Sequence, residues 1–353
     1  MTISANGRFA FYAKRYARSK ASIRLRVLEP MAAMRDAGID IRRYPKIKGP
    51  AGYDAIIISK AFGRGAVKAV SAAQKAGCGL IFDICDNRFA NNRSKGSPRH
   101  GIRTSQLLSQ ADLVTVPTQT MGALLSSSTP EIRDRIRVVP DMLEDISSLS
   151  TLSLSLRERL RLRRLRRFLA NHAGALHVVW FGNNMAGMSG VGQLDEAVAH
   201  LRTFAGQHPV TLTIISNKPA IYREAAPHWG LPSVFMPWSL VSFPIALQEH
   251  RVAIIPVSRN DYTAGKSINR PATAIMAGLG VIADSIESYE ELRPFIVLDD
   301  WQGGLSRYAF DWEGEQNRLS EARAHLDRHY GRQRVAERWE EVLNELHRSR
   351  TQD

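Results

Sequence analysis

The stretch Val252–Ser285, VAIIPVSRNDYTAGKSINRPATAIMAGLGVIADS, holds the pattern that decides the fold. VAIIP is a continuous apolar run of strand length, as a strand buried on both faces requires. A polar loop follows and carries Lys266, Ser267, Asn269 and Arg270. Asn269–Ala277 then has helical spacing. Pro271 sits in its first turn, where a missing N–H is tolerated, and Gly278–Gly280 ends it. Gly280–Ala283 is the next strand. Strand, helix, strand in so short a span implies parallel strands joined by a covering helix.

The same alternation extends in both directions. Toward the N-terminus, Arg8–Ala13, Ile39–Tyr44, Asp54–Ser59, Gly79–Cys85, Leu113–Val116 and Arg137–Val139 read as strands. Between them Arg24–Ala37, Gly65–Ala76, Ser105–Gln110 and Thr118–Leu125 read as helices, the first two stopped by Gly38 and Gly77. The pattern pauses at the Ser/Leu-rich Ser147–Ser155 and an arginine block, then restarts. Leu176–Phe181, Val210–Ser216, Ser233–Met236, Val252–Pro256, Gly280–Ala283 and Phe295–Leu298 are the second set of strands, and Gln316–Arg348 is largely helical. The chain is therefore expected to be α/β, with two Rossmann-like, doubly wound domains. The boundaries are 1–146 for the first, 147–172 for a basic interdomain segment, 173–330 for the second and 331–353 for a C-terminal helix. Ligands of such sheets sit at the carboxyl ends of the strands.

The chain has 353 residues, enough for two cores, with 44% hydrophobic and 23% charged residues. That composition excludes a disordered polymer. No apolar run reaches the roughly 18–20 residues of a membrane span, and the N-terminus has no signal-peptide pattern. Two cysteines, Cys78 and Cys85, suggest neither a disulfide framework nor a metal site, so the cytoplasm is the expected compartment. The net charge of +14 implies an anionic partner without saying which.

A helix start with Lys266 and Arg270 beside it is suited to an anion. Its unpaired N–H groups carry partial positive charge, and the side chains add full charges. Ser267 or Asn269 can cap the turn. An ordinary capped helix with a solvated lysine is the plain alternative.

The segment K-S-x-N-R-x-x-x-x-A-[IM]-x-A-G-x-x-V-[IV]-A, with Asp284–Tyr289 after it, resembles the donor-binding segment of GT-B glycosyltransferases of the family-4-like group. The resemblance is specific here and weak over the rest of the chain. It implies two doubly wound domains facing across a cleft. It also implies a nucleotide-diphosphate sugar as co-substrate, no bound cofactor or metal, and transfer to an acceptor hydroxyl of a glycan or lipid-linked acceptor in cell-surface glycan synthesis. Lys266 and Arg270 become phosphate ligands, with Ser267 and Asn269 in support. Many retaining members carry glutamates where this chain has Gly265 and Thr273. Thr273 can make a hydrogen bond to a ribose but cannot clamp a diol as a carboxylate does. A catalytically inactive, nucleotide- or anion-binding scaffold of the same fold is therefore the alternative.

Further donor candidates are Gly182, Asn183 and Asn184 in the glycine-bearing loop Trp180–Gly192, and Lys218 past the next strand. Trp238 stands where such enzymes hold the base, although core packing is the favoured role for it. On the acceptor or phosphate side, Ser22–Arg26 (SIRLR) resembles an S-x-R-x-R found near the cleft and offers Arg24 and Arg26. Asp86, at the end of a buried strand, is the candidate general base, with a turn-capping role as its alternative. His100 lies in the basic loop NNRSKGSPRHGIR. The block Arg157–Arg167 holds seven arginines, with leucines at 156, 160, 162, 165 and 169. It reads as a basic amphipathic helix that either docks on a domain or lies on the inner face of an anionic membrane. Nucleic acid is disfavoured, since no aromatic platform or finger motif accompanies the charge.

Overall fold

The computed structural model describes residues 7–90, 98–146, 149, 153–182 and 194–351, with the side chains of 98–100 and 351 left aside. The chain divides into two compact units. The first comprises Met1–Leu143, Ala264–Ser267 and Asp327–Asp353; the second comprises Glu144–Thr263 and Ile268–Leu326.

The first unit is built on a six-stranded, all-parallel sheet. Its strands are β1 (Arg8–Tyr12), β2 (Asp40–Arg43), β3 (Ala55–Ser59), β4 (Gly79–Asp83), β5 (Leu113–Val116) and β6 (Ile136–Val138), in the order β2-β1-β3-β4-β5-β6. Side chains alternate between the two faces, as the pleat demands. Phe9, Phe11, Ala55 and Ile57 pack into one buried cluster with helix Glu29–Asp36 and the C-terminal helix Arg332–Thr351. Ala10, Tyr12, Ile56 and Ile58 face the other cluster, with helices Arg64–Lys75 and Gln119–Ser128. Trp339 of the last helix meets Phe11 edge-on at 5.3 Å. The C-terminal residues thus return to the first sheet, where their apolar stripe is buried.

The second unit has an equivalent sheet of β7 (Leu176–Phe181), β8 (Val210–Ser216), β9 (Ser233–Pro237), β10 (Val252–Ile255), β11 (Gly280–Ala283) and β12 (Val297–Leu298). Its order is β12-β11-β10-β7-β8-β9, again all parallel. Strand order reverses between β1 and β3 in one sheet and between β7 and β10 in the other, the positions where doubly wound sheets form crevices.

Several local expectations are corrected. The helix read from Arg24 begins at Ala21 and contains a π-helical turn over Arg24–Leu28. The helix read from Ser105 begins at Pro98, where proline needs no N–H partner, so His100 belongs to a helix and not to a loop. The C-terminal helical stretch is two helices, Trp312–Tyr330 and Arg332–Thr351, parted at Gly331. Helix Asn269–Ala277 stands as read. Gly278 ends it in the left-handed region (φ 93°), and the Leu279 N–H reaches back to the Ala274 carbonyl at 3.0 Å.

Candidate functional site

The carboxyl ends of β3, β4 and β5 in the first unit bring together a dense set of charges. Arg26 is buried, with 2% of its surface exposed. Its Nε donates to Asp83 at 3.0 Å, and its Nη1 donates to the Val139 carbonyl at 2.8 Å and to Asp141 at 2.9 Å, while Nη2 also reaches Asp83. Asp83 accepts two further bonds, from Ser59 at 2.7 Å and Thr115 at 2.9 Å. Burial alone would weaken the guanidinium's hold on its proton; the charges of Asp83 and Asp141 outweigh that and raise its pKa. Arg26 therefore ties the π-helical turn to the ends of β4 and β6, and its donors are committed to protein acceptors. The side chain offered from the sequence for phosphate or an anionic acceptor is thus held by protein partners. Arg24 is also buried, and its Nη1 donates to the Arg18 carbonyl at 2.6 Å. Both side chains are buried, and both belong to the π-helical turn.

Asp86 lies just beyond β4. Lys266 donates to its Oδ1 at 2.5 Å, and Lys60 pairs with its Oδ2. Burial would push this carboxyl up, but the charges and hydrogen bonds of Lys266 and Lys60 prevail and hold it well below the usual carboxylate range. With both lysines in place Asp86 is a firm anion and a weak proton acceptor. Lys60 was not anticipated from the sequence. It immediately follows β3, at the switch point of the sheet, and it is one of two non-glycine residues with positive φ among the described residues (46°). A lysine directly after a buried strand was the available signal. Arg88 adds another cation, lying over the Phe62 ring at 4.1 Å. Cys85, next to Asp86, is pushed up to about 12 by burial, so it is a neutral thiol rather than a nucleophile.

The segment Ala264–Ser267 groups with this unit. Ser267 donates to Asp141 at 2.6 Å, and helix Asn269–Ala277 has no side-chain cap. The expected capping by Ser267 or Asn269 is therefore replaced by a tie to Asp141. Gly265 is buried, and a Cβ there would lie 2.7 Å from the Met121 sulfur. A side chain as large as glutamate has no room at this position without a shift.

In the second unit, Asn269 and Arg270 open the helix with half-buried side chains, and Thr273 is buried on it. Gly182 follows β7, while Asn183 and Asn184 lie outside the described residues. Lys218 is exposed at the start of helix Pro219–Ala225. Trp238 is half-buried, with its ring 6.1 Å from Phe243 and its backbone N–H donating to the Ser216 carbonyl at 2.7 Å. Nearby, three buried polar atoms lack a protein partner: the Ser216 and Ser242 hydroxyls and the Trp180 indole N–H. Buried polar groups are ordinarily paired, so orphans at the carboxyl edge of a sheet mark a place where a ligand can supply the bond. Of His100, on the acceptor side, only the backbone is described.

The arginine block forms helix Leu156–Ala170, opened by a capping box of Ser155 and Glu158. Leu162, Leu165 and Leu169 are buried on the second unit, and Arg166 pairs with Glu249 at 2.8 Å. Among the described residues no helix is long and apolar enough to cross a membrane, and no three His, Cys, Asp or Glu side chains gather as a metal site.

No family model matches the chain, and no curated protein sequence matches it. Solved structures do resemble it along nearly its whole length. The Anabaena protein HepE, crystallised with UDP and glucose, superposes with a TM-score of 0.68 at 14% identity, over 96% of this chain and 100% of its own. A glycosyltransferase from Rickettsia africae gives 0.65 at 10% identity, over 97% and 99%. WaaG, a glycosyltransferase involved in lipopolysaccharide biosynthesis, gives 0.61 at 10% identity, over 95% and 99%. The chain has the α/β fold of GT-B glycosyltransferases, with two parallel six-stranded sheets.

Proposed function

We propose that this protein transfers a glycosyl group from a nucleotide-diphosphate sugar to the hydroxyl of a glycan or lipid-linked acceptor, in the synthesis of cell-surface glycoconjugates. The observation that carries the proposal is full-length likeness to HepE, a protein crystallised with UDP and glucose. Lys266 and Arg270, beside a helix start, supply cations of the kind a diphosphate needs. The orphan hydroxyls of Ser216 and Ser242, with Trp238, supply polar and aromatic surface for a base. Catalysis rests on stabilising the leaving diphosphate and placing the acceptor hydroxyl, because Gly265 leaves no carboxylate before the lysine. Within the first unit, Asp86 is the group proposed to take the acceptor proton, and its basicity rises when Lys266 and Lys60 are drawn off it.

The test is a thermal-shift screen of nucleoside diphosphates and their sugars, followed by transfer assays of wild type and Lys266→Ala. A specific nucleotide should raise the melting temperature by mass action. Turnover that is lost in the variant supports transfer. Binding without turnover across a broad acceptor panel supports the inactive scaffold, which the residues at Gly265 and Thr273 favour. No stabilisation by any nucleotide refutes both.

We further propose peripheral contact with an anionic membrane on the cytoplasmic side. Leu156 and Leu160 are 73% and 56% exposed, on the side of their helix roughly opposite the docked stripe and among the arginines. Co-sedimentation with acidic vesicles that survives Leu156→Ser/Leu160→Ser would count against it.

A further inference from the structure

The second unit contains a cleft that the sugar-transfer proposal does not use. It has a volume of about 380 Å³, within the roughly 300–1,000 Å³ typical of small-molecule sites. It runs along β9, the edge strand of the sheet, between helix Leu156–Ala170 and helix Pro219–Ala225. Arg161, Arg164 and Arg223 line it, over a floor that includes Leu165, Tyr222 and Phe235, and no acidic residue lines it.

The floor is fixed. The Tyr222 ring lies 5.4 Å from Phe235 and 5.7 Å from Trp229, and its hydroxyl meets that of Ser233 at 3.1 Å. Leu165 is 1% exposed. The wall is also set by the fold. Arg161 and Arg164 are three residues apart and so share one side of their helix, and Arg223 approaches from a second helix. Arg166 pairs with Glu249 instead, while Arg161 has Glu158 one turn before it, close enough for their charges to interact. Three guanidiniums lining an apolar, aromatic floor suit an anion with paired oxygens, such as a phosphate, attached to a planar or apolar body. The planar forks bind phosphate oxygens in pairs, and the floor covers what is attached.

We infer that this cleft is a binding site for a phosphate ester with an apolar or planar body; its lining residues Pro219 and Pro237 adjoin the donor candidates Lys218 and Trp238 in sequence, but its three arginines are not among the donor residues. It is independent of the proposal of sugar transfer, since it concerns other residues and binding alone. Free organophosphates and lipid phosphate headgroups share this chemistry.

The experiment is calorimetric titration of the whole protein with phenyl phosphate at moderate salt. Two charge-matched variants are compared. Arg161→Glu/Arg164→Glu alters the cleft, whereas Arg159→Glu/Arg163→Glu makes the same charge change on a side of the helix that does not line it. The first should weaken binding at least about tenfold and the second by less than about threefold. Arg223→Glu, on the other helix, should also weaken it and guards against a local defect of the arginine helix. Equal losses in the two double variants would mean a diffuse positive field and would overturn the site, as would no binding to the wild type. Competition identifies the source. A short-chain phosphatidic acid that displaces the probe about tenfold better than inorganic phosphate indicates a lipid headgroup, and equal displacement indicates free phosphates.

Discussion

Replacing Arg26 by methionine should destabilise the first unit's core without touching any ligand. Arg26 and Asp83 are each 1% exposed at the side chain, and Asp141 is 7% exposed. Removing the guanidinium leaves two carboxylates buried with their principal cation gone. Ser59 and Thr115 still donate to Asp83, and Ser267 to Asp141, but neutral hydroxyls do not offset a buried charge. Breaking one side of such a pair costs about 3–5 kcal/mol, which corresponds to roughly a hundred- to several-thousand-fold faster exchange through global opening. The assay is native-state hydrogen exchange, read on β4 in the first unit and on β10 in the second as an internal control. The loss should be confined to the first unit. The triple variant Arg26→Met/Asp83→Asn/Asp141→Asn should recover most of it, since a buried network replaced as a whole is often nearly neutral. Two results would refute the reasoning. One is a loss below about 1 kcal/mol in β4 for Arg26→Met. The other is a triple variant no more stable than the single one.

Lys266→Ala should show the reverse signature. Its side chain is 28% exposed and Asp86 retains Lys60, so stability should change little while affinity for a nucleoside diphosphate falls about tenfold, as measured by calorimetry. His250 predicts a pH dependence. Its Nδ1–H donates to the Ala246 carbonyl at 2.8 Å, so Nε2 accepts from Thr213 at 2.7 Å, and burial pushes the imidazole down to about 4. The unfolded chain takes up this proton near pH 6.5 and the folded one only near 4, so stability is full above pH 6.5 and falls as pH drops from there toward 4. The loss is on the order of 3 kcal/mol, and a His250→Gln variant should lack this slope in denaturation curves compared across that range. Leu165→Ala should cost about 2–5 kcal/mol because Leu165 is 1% exposed, whereas Leu160→Ala, at a 56% exposed position, should cost almost nothing; equal effects would mean that the helix does not dock as described.

What the sequence disclosed and what it withheld follow from the range of the interactions. Buried parallel strands announce themselves as apolar runs, so β3, β4 and β10 were readable from VAIIP-like stretches alone, and β7 and β8 from runs broken only by His177, Thr211 and Thr213. Helix Asn269–Ala277 was readable because its stop is local: only glycine adopts φ 93° without strain. The return of the C-terminal helix to the first sheet was not readable. Trp339 and Phe11 meet across more than three hundred residues, and an amphipathic stripe does not name its partner. The same limit governed the charges. A sequence shows Arg26 as a cation near a motif, but the partners that bury it are 57 and 115 residues away. Once those partners are known, the choice between ligand-binding and structural arginine is made by the count of acceptors already engaged. Lys60 is the opposite case. Its position directly after β3 was local information, and its meaning came only from Asp86, which it shares with Lys266. A carboxylate held by two lysines from distant parts of the chain is a stable ion pair in itself and also a place an incoming anion can take over. That dual character sets Asp86 apart from a lone strand-end carboxylate: its proton affinity is set by where the two lysines are.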